Sequence, residues 1–254
     1  MTDESKAIEL RKLFPVVDHW TYLYNGSIHP CPRPVAEAMA SFLRQWQEGG
    51  EAAFFTAHEA FVKLREKFAA LIHAKVENIV ITESTTAALN LAAQLLRPRA
   101  TQNVVVTDLA FMSSTYNWLV GQLALSEVRF VKSRDGRIHM DDLAALVDEN
   151  TAAVTICAVT VGSGFRFNLR DVCAITAPLN VQLIVDAAQA LGVVEINACD
   201  PPLDFVACTA SKWLMGPAGV GFLYLADRYL AATPPAVGWY AASNVAAWDV
   251  RHCE

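Results

Sequence analysis

Residues 181–225, VQLIVDAAQALGVVEINACDPPLDFVACTASKWLMGPAGVGFLYL, hold three apolar runs in succession. VQLIV (181–185) ends in Asp186, DFVACT (204–209) leads into Ser211 and Lys212, and VGFLYL (220–225) follows a Gly/Pro-rich turn. Short apolar runs rich in branched side chains and bounded by turn residues read as buried strands. One strand therefore ends in an acid, and the next ends in a Ser-Lys pair. In sheets of parallel strands, ligands gather at the strands' carboxyl ends. A surface lysine or a strand-end aspartate is ordinary when met alone. Two such groups at neighbouring strand ends make a candidate site.

The same pattern extends upstream. Apolar runs recur at 78–82 (NIVIT), 103–107 (NVVVT), 128–131 (VRFV) and 152–161 (AAVTICAVTV). Helix-like stretches at 84–96, 113–124, 140–148 and 170–177 separate most of the runs, and two more precede them at 35–47 and 57–74. Strands alternating with helices predict an α/β fold: a three-layer large domain whose mainly parallel sheet carries helices on both faces. No fixed-period repeat and no low-complexity linker divides the chain. The expected organisation is an N-terminal arm and helix over 1–50 and a ligand-binding large domain over 51–240.

Composition narrows the class. Of 254 residues, 54% are hydrophobic and 18% charged, enough for a sizeable core. The formal net charge of −6, without a Lys/Arg stripe, gives no footprint for nucleic acid. It does not exclude an anionic ligand, because backbone amides and helix dipoles bind phosphate. Six scattered cysteines form neither a C-x-x-C pair nor a Cys/His cluster of metal-binding spacing, so no metal is expected. Cys157 and Cys208 lie within strand-like runs and read as small core residues. A polar N-terminus without a signal-peptide pattern points to the cytoplasm, and no apolar run reaches membrane-spanning length.

A strand-end lysine beside a strand-end acid suits pyridoxal 5'-phosphate. The lysine amine forms a Schiff base with the cofactor aldehyde, and the carboxylate keeps the pyridine nitrogen protonated. The run ESTTAALNLAA after strand 78–82 places Ser84, Thr85 and Thr86 in a helix's first turn, where amides and hydroxyls cradle phosphate. An ordinary N-cap is the competing reading. In DLAFMSSTYNW, after strand 103–107, Phe111 can stack on a planar ring or fill the core. Gln189 follows Asp186 within reach of the same strand end, and Thr209 and Ser211 can hold phosphate beside Lys212.

TESTTAALNLAA, DAAQALG and TASKWLMGPAGVGFLYL, with the N-terminal YLYNGSIHPCPRPV, resemble the class V aminotransferase group of fold-type I pyridoxal-phosphate enzymes. That group includes cysteine desulfurases, kynureninases and isopenicillin N epimerase-like proteins. The resemblance runs in order over about residues 20–240. It implies a pyridoxal-phosphate-dependent transferase or lyase in which Lys212 is the Schiff-base lysine and Asp186 pairs with the ring nitrogen. Gln189 bonds the ring oxygen, Thr85, Thr86, Thr209 and Ser211 surround the phosphate, and Phe111 stacks. It also implies a small-molecule amino-acid substrate and a homodimer; Gly238, Trp239 and Tyr240 resemble a stretch that reaches the neighbouring site, and an aromatic turn packed on the domain's own surface is the equal alternative.

The sequence departs from the desulfurase pattern. Thr209-Ala210-Ser211-Lys212 stands where desulfurases have Ser-x-His-Lys, Phe111 where they have a stacking His, and VTVGSG (159–164) lacks an Asn found in many members. These departures favour epimerase-like or lyase-like chemistry. Members usually continue into a C-terminal small domain of roughly a hundred residues, a usual domain size. Residues 241–254 read as the start of a truncated C-terminal region. Two outcomes therefore stay open: an enzyme performing transamination, C–S or C–Se cleavage or epimerisation, and a cofactor-binding but catalytically poor remnant.

Overall fold

The computed structural model describes residues 3–120 and 127–238. Seven strands form one sheet: β1 (Ile79–Thr82), β2 (Asn103–Thr107), β3 (Glu127–Val131), β4 (Thr151–Cys157), β5 (Gln182–Asp186), β6 (Phe205–Thr209) and β7 (Gly221–Leu225). The order is β1-β7-β6-β5-β4-β2-β3. Only β7 runs against its neighbours, pairing antiparallel with both β1 and β6. The helices are α1 (Asp3–Arg11), α2 (Arg33–Gly49), α3 (Ala52–Leu71), α4 (Thr85–Leu96), α5 (Ser113–Leu119), α6 (Met140–Ala144) and α7 (Leu169–Thr176). None of the described helices is long and apolar enough to cross a membrane.

Strand alternation sorts the core into two layers. Val105, Val154, Ile156, Leu183, Val185, Val206 and Phe222 face Phe68 and Ile72 near the end of α3. Their neighbours Val104, Val106, Ala153, Ile184, Phe205, Ala207 and Leu223 face Ala88, Leu89, Ala92 and Ala93 of α4 and Trp118 of α5. Successive side chains of a strand point to opposite faces, so each buried run serves both layers. Small alanines on α4 and on the sheet bring that helix close to the strands. Inside this layer the Trp118 indole donates to Thr155 Oγ1 at 3.2 Å, giving a buried N–H its acceptor.

Register sets the site. Cys157 pairs with Asp186, and Asp186 with Ala207, so the carboxyl ends of β4, β5 and β6 lie side by side. Thr82, Gly221 and Thr209 form one row across β1, β7 and β6. Gly221 is required there: a Cβ would stand 2.7 Å from the Ser84 carbonyl carbon and 2.9 Å from the Cys208 oxygen. Without that side chain the N-terminus of α4 sits directly on the strand ends.

The differences from the sequence reading are local. The strand expected over 152–161 stops at Cys157, because the chain turns at 161–163 and pairs Val159 with Arg166 in an isolated bridge. The helix expected over 140–148 ends at Ala144, and Asp148 then caps a turn, accepting from the Asn150 amide. The helix at 57–74 begins earlier, at Ala52, and ends before His73, whose φ of 57° is left-handed. The stretch at 113–124 is helical through Leu119, and 121–126 lie outside the described residues.

Candidate active site

Asp186 closes β5 and is 4% exposed. Its Oδ1 accepts from the Ala188 amide at 3.0 Å and its Oδ2 from the Ser114 hydroxyl at 2.9 Å. The Cys157 thiol lies 3.8 Å from the same Oδ2. Burial pushes the Asp186 carboxyl above the usual range, while Ala188, Ser114 and the positive charge of Lys212 pull it back. Burial, with the Asp186 charge beside it, also pushes the Cys157 thiol up to about 12. The Cys157 sulfur accepts from the Phe111 amide at 3.3 Å, and a raised thiol pKa disfavours the reactive thiolate.

Lys212 lies in the loop between β6 and β7. That loop is held by Ala210 N–H to Val220 O and Gly216 N–H to Ala210 O, both 2.8 Å. It packs on Gly192, where a Cβ would come within 2.5 Å of the Trp213 oxygen and where φ is 102°. A side chain at 192 is excluded by both sterics and backbone conformation. Lys212 Nζ sits 5.4 Å from the centre of the Phe111 ring. Phe111 is 38% exposed, so it is a wall of the site and not a core residue.

At the start of α4 the N-cap reading is met. Ser84 is the N-cap, its hydroxyl accepting from the Ala87 amide at 3.1 Å. Thr85 and Thr86 follow it in the first turn and line a cavity. The Thr85 hydroxyl is buried without a hydrogen-bond partner, and Thr86 Oγ1 lies 2.8 Å from Ser113 Oγ. First-turn amides of a helix have no acceptor within it, and the helix dipole favours an anion there. Thr209 Oγ1 lies 3.2 Å from Ser211 Oγ.

These groups converge. Ser84, Thr85, Thr86, Phe111, Cys157, Asp186, Gln189, Thr209 and Lys212 line one cavity of about 190 Å³. A second, of about 560 Å³, shares Phe111, Val159, Val161, Gln189 and Lys212 with it and reaches Leu23, Tyr24, Gly26 and Ser27 of the N-terminal arm. Ser211 lies one hydroxyl behind Thr209 and does not line the first cavity. Arg166, an arginine able to anchor a carboxylate, lines a separate cavity with Glu195 and Asp200. Trp239, Tyr240, Arg251 and Cys253 lie outside the described residues. No group of three or more potential metal ligands occurs among the described residues.

Sequence reasoning missed Ser113, Ser114, Trp213 and Gly26. A signal for the serines was present: they open α5 just past β2, as Ser84 to Thr86 open α4 just past β1. Nothing in sequence marks Gly26 or Trp213, which meet Gln189 only through the fold.

The family described as Aminotransferase class-V matches residues 21–246. A probable cysteine desulfurase of Methanothermobacter thermautotrophicus is 31% identical over 221 residues, covering 85% of this chain and 55% of the relative. An uncharacterized aminotransferase of Schizosaccharomyces pombe is 30% identical over 231 residues, covering 88% and 52%. The chain thus spans about half the length of these curated relatives. Among solved structures, the apo cysteine desulfurase of Thermococcus onnurineus NA1 superposes with a TM-score of 0.83 at 26% identity, over 93% of this chain and 61% of that one. A C-DES mutant with glycine covalently linked to its pyridoxal-phosphate cofactor shares the fold, with a TM-score of 0.87 at 22% identity.

Proposed function

Because the chain belongs to the class V aminotransferase family, we propose that its strand-end cavity is the pyridoxal 5'-phosphate site of an enzyme acting on an amino acid. One observation carries this reading. An amine, a buried carboxylate, an unpartnered hydroxyl at a helix N-terminus and a half-exposed aromatic ring line a single cavity. That donor set matches an aldehyde, a ring nitrogen, a phosphate and a ring face. Large-domain residues 51–240 carry it.

When bound, the cofactor supplies an electron sink for charge developing at a substrate α-carbon. Lys212 provides the anchoring amine and the base that moves a proton at that carbon. Asp186 holds a proton at the ring nitrogen. Its desolvation strengthens that charge pairing, and Ser114 and Ala188 keep both carboxylate oxygens oriented. Thr85, Thr86 and the first-turn amides of α4 take the phosphate, with Thr209 and Ser211 beside them. Phe111 covers one ring face, and Gln189 donates to the ring oxygen.

The reaction is transamination, C–S or C–Se cleavage or epimerisation. Phe111 at the stacking position and Ser211 before Lys212 favour the epimerase-like and lyase-like chemistries over a standard desulfurase. The working form is a homodimer, supported by the exposed Trp20, Leu23, Tyr24 and Trp46 of the N-terminal region and Phe55 of α3.

The test is reductive trapping. Protein incubated with pyridoxal phosphate and treated with borohydride should carry a stable adduct that peptide mass mapping places on Lys212. Lys212→Ala should carry none while keeping its melting temperature. An adduct of equal yield in both proteins refutes the assignment. Turnover across a panel of amino acids then names the substrate.

A further inference from the structure

Gln189 carries an amide whose orientation is decided by two partners of opposite character. Trp213 Nε1–H, which can only donate, reaches Oε1 at 2.8 Å. The Gly26 carbonyl, which can only accept, receives Nε2–H at 2.6 Å. Neither bond survives exchange of the amide's oxygen and nitrogen, so the flip ambiguity of a glutamine is removed here. One N–H and one lone pair are left over, and Gln189 lines both cavities at the strand ends.

The two partners come from different parts of the chain. Trp213 follows Lys212 directly, and its backbone is pressed against Gly192. Gly26 belongs to the N-terminal arm, whose second tie to the strand ends is His29 N–H to Ser211 O at 2.9 Å. Gly26 also admits Gln189 closely, since a Cβ there would lie 3.3 Å from Oε1. Gln189 is thus the joint through which the arm, the β5 end and the lysine loop meet.

We infer that Trp213 and the Gly26 carbonyl are positioning groups that clamp the Gln189 amide so that its remaining N–H serves a ligand acceptor, and that the same clamp docks the arm over the site. The inference rests on the proposed cofactor site. There the acceptor is the ring oxygen, and donation to it favours its ionised form. Losing the clamp raises the pH at which the bound cofactor's visible absorption changes.

The experiment is a spectrophotometric pH titration of the full chain loaded with pyridoxal phosphate. Unsubstituted protein, Trp213→Phe, Gln189→Ala and the double variant are compared. Trp213→Phe keeps the aromatic bulk and loses the N–H. The expected upward shift is about 0.5–1 pH unit in each single variant, the size of one modest hydrogen bond. In the Gln189→Ala background, Trp213→Phe adds nothing, because the group it positions is gone. An unchanged midpoint in Trp213→Phe, or an equal further shift in the double variant, overturns the clamp.

Limited proteolysis of the arm without cofactor supplies a second readout. Cleavage within 20–30 should be faster in both single variants, and equal rates in all four proteins overturn the docking role. If the unsubstituted chain shows no cofactor spectrum, the functional reading fails while proteolysis still decides the clamp.

Discussion

Replacing Asp186 by Asn separates a catalytic group from a structural one, because the two roles respond in opposite directions. The carboxylate is buried and accepts hydrogen bonds from the Ser114 hydroxyl and the Ala188 amide. Bonds to a charged acceptor contribute about 1.5–3 kcal/mol and neutral ones about 0.5–1.5, so Asn forfeits about 2–3 kcal/mol over the pair. It also removes a buried charge whose desolvation costs several kcal/mol. Since burial wins and the Asp186 pKa lies above its unfolded value, the ionised carboxylate is a net burden on the cofactor-free fold. For an acid with a raised folded pKa, the native state holds more protons than the unfolded state at intermediate pH. Stability then falls as pH rises from about 4 through the folded pKa. Asp186→Asn should flatten that slope and leave the cofactor-free protein at pH 8 as stable as the parent, or more so. The loaded protein should behave oppositely. It should still yield a borohydride-stable Lys212 adduct, but turn over about 10²-fold more slowly, the rate equivalent of about 2.7 kcal/mol of lost pairing at the ring nitrogen. The assays are thermal melts between pH 4 and 8 without cofactor, and steady-state turnover with it. A variant that melts several degrees lower at pH 8 yet keeps full turnover would refute the reasoning.

Thr85→Val should leave the cofactor-free melting temperature unchanged or raised, since it removes a buried hydroxyl without a partner. Equilibrium dialysis should show weaker binding of pyridoxal phosphate, by about tenfold, and unaltered affinity would exclude Thr85 from the phosphate site. Gly221→Ala should destabilise by about 1–3 kcal/mol, since the added carbon collides with the Ser84 and Cys208 backbone. Urea melts check this, and a neutral effect would mean that α4 need not sit on the strand ends. Asp148 is held down at about 2, first by Arg129 and also by Asn103 and the Asn150 amide. Its stabilisation is therefore present above about pH 4 and lost as pH falls through about 2. In thermal melts Asp148→Asn should lie below the parent at pH 6, and the gap should close as pH falls through about 2.

Much of the candidate site was legible in the chain because its parts are local. A strand end carries its residue type with it, so DAAQALG and TASKWLMGP announced Asp186 and Lys212 before any fold was known. The period of the apolar runs likewise gave the three-layer α/β class, since buried strands and amphipathic helices differ in repeat. Strand 152–161 was overextended for a related reason: an apolar run continues past Cys157, and composition does not reveal where pairing stops.

Four things needed tertiary structure. The first is the place of β7, inserted antiparallel between β1 and β6, because its pairing with β1 joins strands far apart in sequence. The second is Ser114, which reaches Asp186 across 72 positions. The third is the Gln189 clamp, whose Gly26 partner lies 163 positions away. The last is the environment of Cys157, a core cysteine by pattern, which the register of β4 against β5 sets beside the one buried carboxylate of the candidate site. Sequence determines which residue ends each element, because backbone preference and hydrophobic period act over a few residues. Only folding decides which ends become neighbours, because register, burial and hydrogen-bond partners arise between segments that have no local signal of one another.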